Sequence, residues 1–150
     1  MTRILFVCTG NTCRSPMAEA ILKSRNLPGI EVKSAGVYAM DGSPASENTR
    51  KVLAENGIVF DSHQASILND ALVNWTSYII TMTASHKASV ISMFPDAAGK
   101  TFTLKEFATG NSNSDIVDPF GGPIEQYRQT YNELNDMLIK MIHRLQNENR

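Results

Sequence analysis

The stretch from Ile4 to Pro16 restricts the fold of this chain more than any other. Ile4-Leu5-Phe6-Val7 is an uninterrupted apolar run, and it passes without a turn dipeptide into Cys8-Thr9-Gly10-Asn11-Thr12-Cys13-Arg14-Ser15-Pro16. A short apolar run with no polar alternation is the pattern of a strand buried on both faces, the kind found in parallel sheets covered by helices on each side. Ser15-Pro16 predicts the N-cap and first helical position of a helix over Met17 to Ser24. The polar segment therefore joins a strand end to a helix start. In that place the backbone N–H groups of Thr9, Gly10, Asn11, Thr12, Cys13 and Arg14 can converge on an anion with the helix dipole behind them, and the Arg14 fork can close the ring around phosphate oxygens. Cys8 would lie at the bottom of that positive bowl, where its surroundings favour the thiolate and make it a nucleophile.

Simpler readings leave too much unexplained. A buried free cysteine is common, but as packing alone Cys8 gives no reason for Gly10, Asn11 and Arg14 between a strand and a helix. Zinc is excluded on ligand count, because Cys8 and Cys13 are the only two cysteines and no histidine lies nearby. Neither the P-loop nor the dinucleotide-binding glycine pattern occurs at this strand–helix junction. No metal and no cofactor are expected.

The rest of the chain alternates strand-like and helix-like segments. Ile30 to Ala35 predicts a second strand, Asn48 to Asn56 a helix closed by Gly57, Leu68 to Trp75 a short helix, and Tyr78 to Met82 a third strand. His86 to Phe94 predicts a helix stopped by Pro95, with His86 a solvated residue at its start, and Lys100 to Leu104 a weaker fourth strand. Ile124, Tyr127, Tyr131, Leu134, Leu138, Met141 and Leu145 recur at spacings of three and four, giving a long terminal helix with one apolar stripe and His143 on its exposed face. Such alternation predicts an α/β fold: one three-layer domain over residues 1–150, a four-stranded parallel sheet with helices on both faces and the anion loop after the first strand. Ligands of these sheets sit beyond the carboxyl ends of the strands. Asn111 to Gly122, rich in Gly, Asn, Ser, Asp and Pro, is a loop of the sort that brings a second group to that end, and Asp118 within it reads either as a turn residue of an Asp-Pro pair or as an acid.

Composition narrows the class further. With 150 residues and a net charge of −1, the chain is one ordinary domain without the basic footprint of a nucleic-acid binder or a polybasic membrane tract. The first apolar run is too short for a secretory segment, and nothing approaches the roughly 18 apolar residues of a membrane span. Two cysteines in one loop suit a reducing compartment. The expectation is a cytoplasmic monomer with no nucleic-acid or membrane partner.

Val7-Cys8-Thr9-Gly10-Asn11-Thr12-Cys13-Arg14-Ser15-Pro16-Met17-Ala18-Glu19-Ala20 closely resembles the catalytic loop of the low-molecular-weight protein tyrosine phosphatase family, and Asp118-Pro119-Phe120-Gly121-Gly122 resembles its general-acid loop. Ser34-Ala35-Gly36 looks like the family's element after the second strand that buttresses the phosphate loop. The resemblance implies a phosphoprotein hydrolase in which Cys8 is the nucleophile, Arg14 the phosphate clamp and Asp118 the general acid and base. It also implies that Ser15 donates to the Cys8 thiolate. Asn11 has two compatible roles, fixing the loop by side-chain hydrogen bonds and tolerating an unusual backbone conformation.

Substrate choice rests on fewer residues. Tyrosine-directed members usually carry a larger aliphatic residue at Thr12 and an aromatic wall after Ser-Ala-Gly, where this chain has Val37-Tyr38-Ala39-Met40. The combination is similar to the protein-arginine phosphatases of Gram-positive bacteria. A phosphoguanidinium is planar and rich in N–H donors; it would gain from Asp118 as a forked acceptor, from a small polar Thr12 at the rim, and from Tyr38 and Phe120 as walls. A tyrosine phosphatase is the alternative, and a catalytically silent phosphoprotein-binding module a third reading. Thiol-dependent arsenate reduction is excluded because no cysteine follows Cys13. Cys8 and Cys13 are expected to form a reversible disulfide under peroxide.

Overall fold

The computed structural model describes residues 1–110 and 115–148, the side chain of residue 148 excepted. β1 (Thr2–Cys8) is buried from Ile4 onward, and its side chains divide by parity. Ile4 and Phe6 enter one core with Met17, Leu53, Ile80, Phe107, Leu134 and Leu138, whereas Leu5 and Val7 enter another with Ala35, Val73, Ile79 and Val90. Because successive strand side chains point to opposite faces, these two cores are the two sides of one sheet, and the molecule has three layers.

The sheet order is β2-β1-β3-β4, with β2 at Ile30–Gly36, β3 at Tyr78–Thr81 and β4 at Thr101–Thr103, all parallel. In register, Cys8 stands opposite Gly36 on one side, and Val7 opposite Thr81 on the other. From β1 the chain moves outward first to β2 and later, in the opposite direction, to β3. The carboxyl end of β1 is thus the switch point at which a crevice opens in such sheets.

The helices are α1 (Arg14–Ser24), α2 (Glu47–Glu55), α3 (Asp70–Trp75), α4 (Ala84–Met93), α5 (Leu104–Thr109) and α6 (Ile124–Glu148), with a 3₁₀ turn over Pro95–Lys100. α6 is the terminal helix expected from the spacing: Tyr127, Leu134, Leu138, Met141 and Leu145 are buried while His143 is exposed. No helix among the described residues is long and apolar enough to cross a membrane.

Four local expectations change. α1 begins at Arg14 with Cys13 at its cap and no side-chain cap bond, so Ser15 lies inside the first turn rather than capping it. α3 begins at Asp70, because the Asn69 side chain accepts from Leu72 N–H and fixes the start there. The fourth strand is only Thr101–Thr103, and Leu104 already opens α5, a helix the apolar spacing did not reveal. Its signal is the Thr103-x-x-Glu106 capping box, which both side chains complete. Finally, His86 is not solvated. It is 6% exposed in the first turn of α4.

Candidate active site

The segment after β1 can turn tightly beneath a ligand because its neighbours hold it from below. Val37 N–H donates to the Cys8 carbonyl and Tyr38 N–H to the Thr9 carbonyl, each at 3.0 Å, so the end of β2 carries the loop. That closeness requires glycine at 36. A Cβ there would stand 2.4 Å from the Thr9 carbonyl oxygen and 3.0 Å from Asn11 N, inside contact distance.

Asn11 lies at the bend, fully buried with φ 57°, a left-handed conformation that asparagine tolerates better than most residues. Its amide spans the loop: Nδ2 donates to Ser15 Oγ at 2.8 Å, and Oδ1 accepts from Ser66 N–H at 2.9 Å. Ser15 Oγ lies 2.8 Å from Cys8 Sγ. Since that hydroxyl already accepts from Asn11, its proton is free for the sulfur; the Ala35 carbonyl, at 3.4 Å, is the weaker acceptor. The hydrogen-bond order Asn11, Ser15, Cys8 therefore delivers one donor to the Cys8 sulfur.

A second support was not legible in the sequence. His63, whose side chain is 5% exposed, uses Nε2–H to donate to the Asn11 carbonyl at 2.8 Å, and its Nδ1 faces Glu19 Oε1 at 4.0 Å. Ser34 Oγ donates to that same carboxylate oxygen. Ser34 thus bonds Glu19 of α1, and its connection to the loop runs through Glu19 and His63.

Arg14 is 5% exposed at the start of α1. Its Nη1 donates to the Ile116 carbonyl at 2.9 Å, and Nη2 lies 3.5 Å from Asp118 Oδ2, whose side chain is half-exposed. The guanidinium offers five N–H donors in a fork, so others remain for a ligand. The Asp118 segment is tied down on both sides. Ile116 N–H donates to the Met82 carbonyl beyond β3, Ala84 N–H donates to Asp115 Oδ1, and Phe120 N–H donates to Asp118 Oδ1. The first part of the expected Asn111–Gly122 loop, residues 111–114, lies outside the described residues.

Cys8, Thr9, Gly10, Thr12, Cys13, Arg14, Asp118 and Phe120 line one cavity of about 240 Å³. Cys8 is itself 3% exposed, at the floor. Phe120 is 75% exposed and forms part of the lining, whereas Tyr38, 78% exposed, is not part of it. Both cysteines are free thiols. Cys13 Sγ lies 3.6 Å from Ser46 Oγ and 3.8 Å from the Tyr127 hydroxyl. Burial, then the contact with Cys13, pushes the Tyr127 hydroxyl up from its ordinary value. His86 reaches the site as well: its Nε2 is 2.8 Å from Thr9 Oγ1. Burial and then the nearby Arg14 guanidinium push His86 down to about 4, so it is neutral at physiological pH. Among the described residues no group of three His, Cys, Asp or Glu side chains could hold a metal ion.

The model of one family, low molecular weight phosphotyrosine protein phosphatase, matches residues 3–150. This chain belongs to that family. It is 51% identical over 146 residues to a protein-arginine-phosphatase of Geobacillus stearothermophilus, covering 97% of each chain. It is 39% identical over 139 residues to the low molecular weight protein-tyrosine-phosphatase PtpB of Staphylococcus haemolyticus, covering 93% of this chain and 96% of that one. The solved structure of the YwlE arginine phosphatase from Geobacillus stearothermophilus superimposes with a TM-score of 0.95 at 50% identity, over 99% of this chain and 95% of that one. A YwlE arginine phosphatase carrying serine for its active-site cysteine, with that serine phosphorylated, superimposes at 0.93 with 40% identity, over 97% and 96% of the two chains.

Proposed function

We propose that this protein is a phosphatase that removes phosphate from arginine side chains of proteins through a phosphocysteine intermediate. The observation that carries the reading is the convergence of Cys8, Arg14, Asp118 and Thr12 on one cavity. Cys8 thiolate attacks phosphorus in line, and the phosphorus–nitrogen bond breaks as the S–P bond forms. Asp118 donates its proton to the departing guanidine nitrogen. Water then attacks the phosphocysteine, Asp118 carboxylate takes the water proton, and phosphate leaves with Cys8 again a thiolate. Arg14 and the loop N–H groups hold the equatorial oxygens, on which charge accumulates. The acid is set beside the clamp by the 3.5 Å Arg14–Asp118 contact.

Arginine is favoured over tyrosine for two reasons. Thr12 gives the cavity a small polar wall, and the Asp118 carboxyl group, while one oxygen carries the proton to be donated, can accept through the other from the guanidinium N–H groups of the substrate, which a phenyl ring lacks. The same protein would work in the cytoplasm without metal or cofactor, as a monomer on phosphorylated protein partners. Reversible joining of Cys8 to Cys13 under peroxide belongs to this reading too, supported by two free thiols in one loop.

Parallel kcat/KM measurements on phosphoarginine and phosphotyrosine peptides decide the substrate. Wild type is expected to favour phosphoarginine, and Thr12→Ile to shift the ratio toward phosphotyrosine by about tenfold, since each added buried methylene contributes roughly 0.8 kcal/mol. Wild-type preference for phosphotyrosine would return the protein to the tyrosine-directed members.

A further inference from the structure

His86 poses a hydrogen-bonding question that the phosphatase mechanism leaves unanswered. The residue is 6% exposed; Nε2 meets Thr9 Oγ1 at 2.8 Å, while Nδ1 is buried with no partner among the described residues. A neutral imidazole carries one N–H and one bare nitrogen. If the proton were on Nδ1, a buried N–H would be orphaned, the rarer and costlier kind of unsatisfied group. With the proton on Nε2, the ring donates to Thr9 Oγ1 and only a lone pair is left bare.

That assignment fixes the direction of the Thr9 hydroxyl. Its oxygen is already an acceptor from His86, so its own proton points elsewhere, and Thr9 is an exposed residue lining the cavity beside Cys8 and Arg14. Of the other polar groups in the lining, Cys8 Sγ takes its donor from Ser15 at 2.8 Å and Thr12 Oγ1 faces Cys13 Sγ at 3.8 Å, while the backbone N–H groups and the Arg14 guanidinium only donate. Asp118 directs its oxygens to Phe120 N–H and Arg14.

We infer that the Thr9 hydroxyl is a side-chain donor to a phosphoryl oxygen of the substrate, and that His86 is the positioning residue that aims it. The inference rests on the phosphatase reading for its ligand, yet it is specific to two residues outside the Cys8, Arg14 and Asp118 set. A hydroxyl held this way adds one charge-assisted hydrogen bond to the ring of backbone donors. It contributes equally to any phosphoryl group, whatever the leaving group.

Calorimetric titration with inorganic phosphate reads this directly, without turnover. Thr9→Val, which replaces the hydroxyl by a methyl group at a solvent-facing site, should weaken phosphate binding about tenfold. Thr9→Ser should restore it. His86→Gln, whose amide N–H reaches as far as Nε2, should retain most of the affinity, and His86→Phe should lose it. In the Thr9→Val background His86→Phe should cause no further loss, because it acts through the hydroxyl. Unchanged affinity in Thr9→Val would overturn the inference, as would a His86→Phe loss of equal size with and without the Thr9 hydroxyl. Should His86→Phe not fold, the Thr9→Val and Thr9→Ser pair decides alone. Wild type that fails to hydrolyse phosphoarginine but binds phosphate through Thr9 would reject the substrate assignment and sustain this one.

Discussion

In the proposed mechanism Asp118 is both acid and base, and its surroundings suit the alternation. One carboxylate oxygen accepts from Phe120 N–H, the other faces Arg14, and the side chain is half-exposed, so protons can reach it from solvent. Asp118→Asn keeps the shape and removes the proton. It should slow poor leaving groups by roughly 10²–10⁴-fold and activated aryl phosphates far less; a Brønsted comparison of leaving groups shows it, and equal loss for all would reassign Asp118 to binding. His86 supplies a pH prediction of its own. The unfolded ring protonates below about 6.5, but the folded ring stays neutral down to about 4. The unfolded state therefore binds the extra proton between those values. Stability is complete above about 6.5 and falls as pH drops toward 4, by about 3 kcal/mol at most. Urea unfolding at pH 7.5 and 4.5 should show a shallower decline in His86→Phe than in wild type; parallel declines would remove His86 as the cause.

Between elements, the decisive contact is the end of β2 against the loop after β1. Gly36→Ala would push a methyl group into the Thr9 carbonyl and Asn11 N–H, and because Gly36 also donates its N–H to the Ser66 carbonyl it has little room to retreat. The variant should lose most of its activity along with stability, measured by kcat/KM and urea midpoint together; wild-type kcat/KM would show the loop tolerates the shift. The loop itself and the two-faced β1 were legible in the sequence because each is local, an apolar run and a Cys-x5-Arg spacing, whereas Asp-Pro alone reads as well as a turn and Asp118 stood out by resemblance. Gly36 was legible only by resemblance. His63 and His86 were not, since a lone histidine carries no periodic signal and its burial is decided by segments distant in the chain. Asn11 with Ser66, and Thr9 with His86, are such contacts. α5 was missed for a different reason. Leu104 and Phe107 are its only buried residues, too few for a periodic stripe, so capping chemistry was the sole cue.

At the scale of the whole molecule, the site and the core are one cooperative unit. α1 begins with Arg14 and continues into Met17, Ala18, Ile21 and Leu22, which pack with Leu134, Leu138 and Met141 of α6. A ligand held at the start of α1 is therefore bound only by the folded chain, and it must stabilise that chain by mass action. Inorganic phosphate at a hundred times its dissociation constant should add about 2.7 kcal/mol, which for a domain of this size raises Tm by about 5–10 °C. Arg14 decides how much of this survives substitution. Arg14→Ala removes the fork and also the bond to the Ile116 carbonyl, so its Tm without phosphate should fall. The informative quantity is the increment with phosphate, which should nearly vanish in Arg14→Ala and be partly kept in Arg14→Lys, where charge remains and bidentate geometry is lost. A thermal melt series across phosphate concentrations measures all three. A wild-type Tm indifferent to phosphate would mean that the loop does not bind the anion its N–H groups surround, and an increment equal in all three proteins would place the bound phosphate somewhere other than beside Arg14.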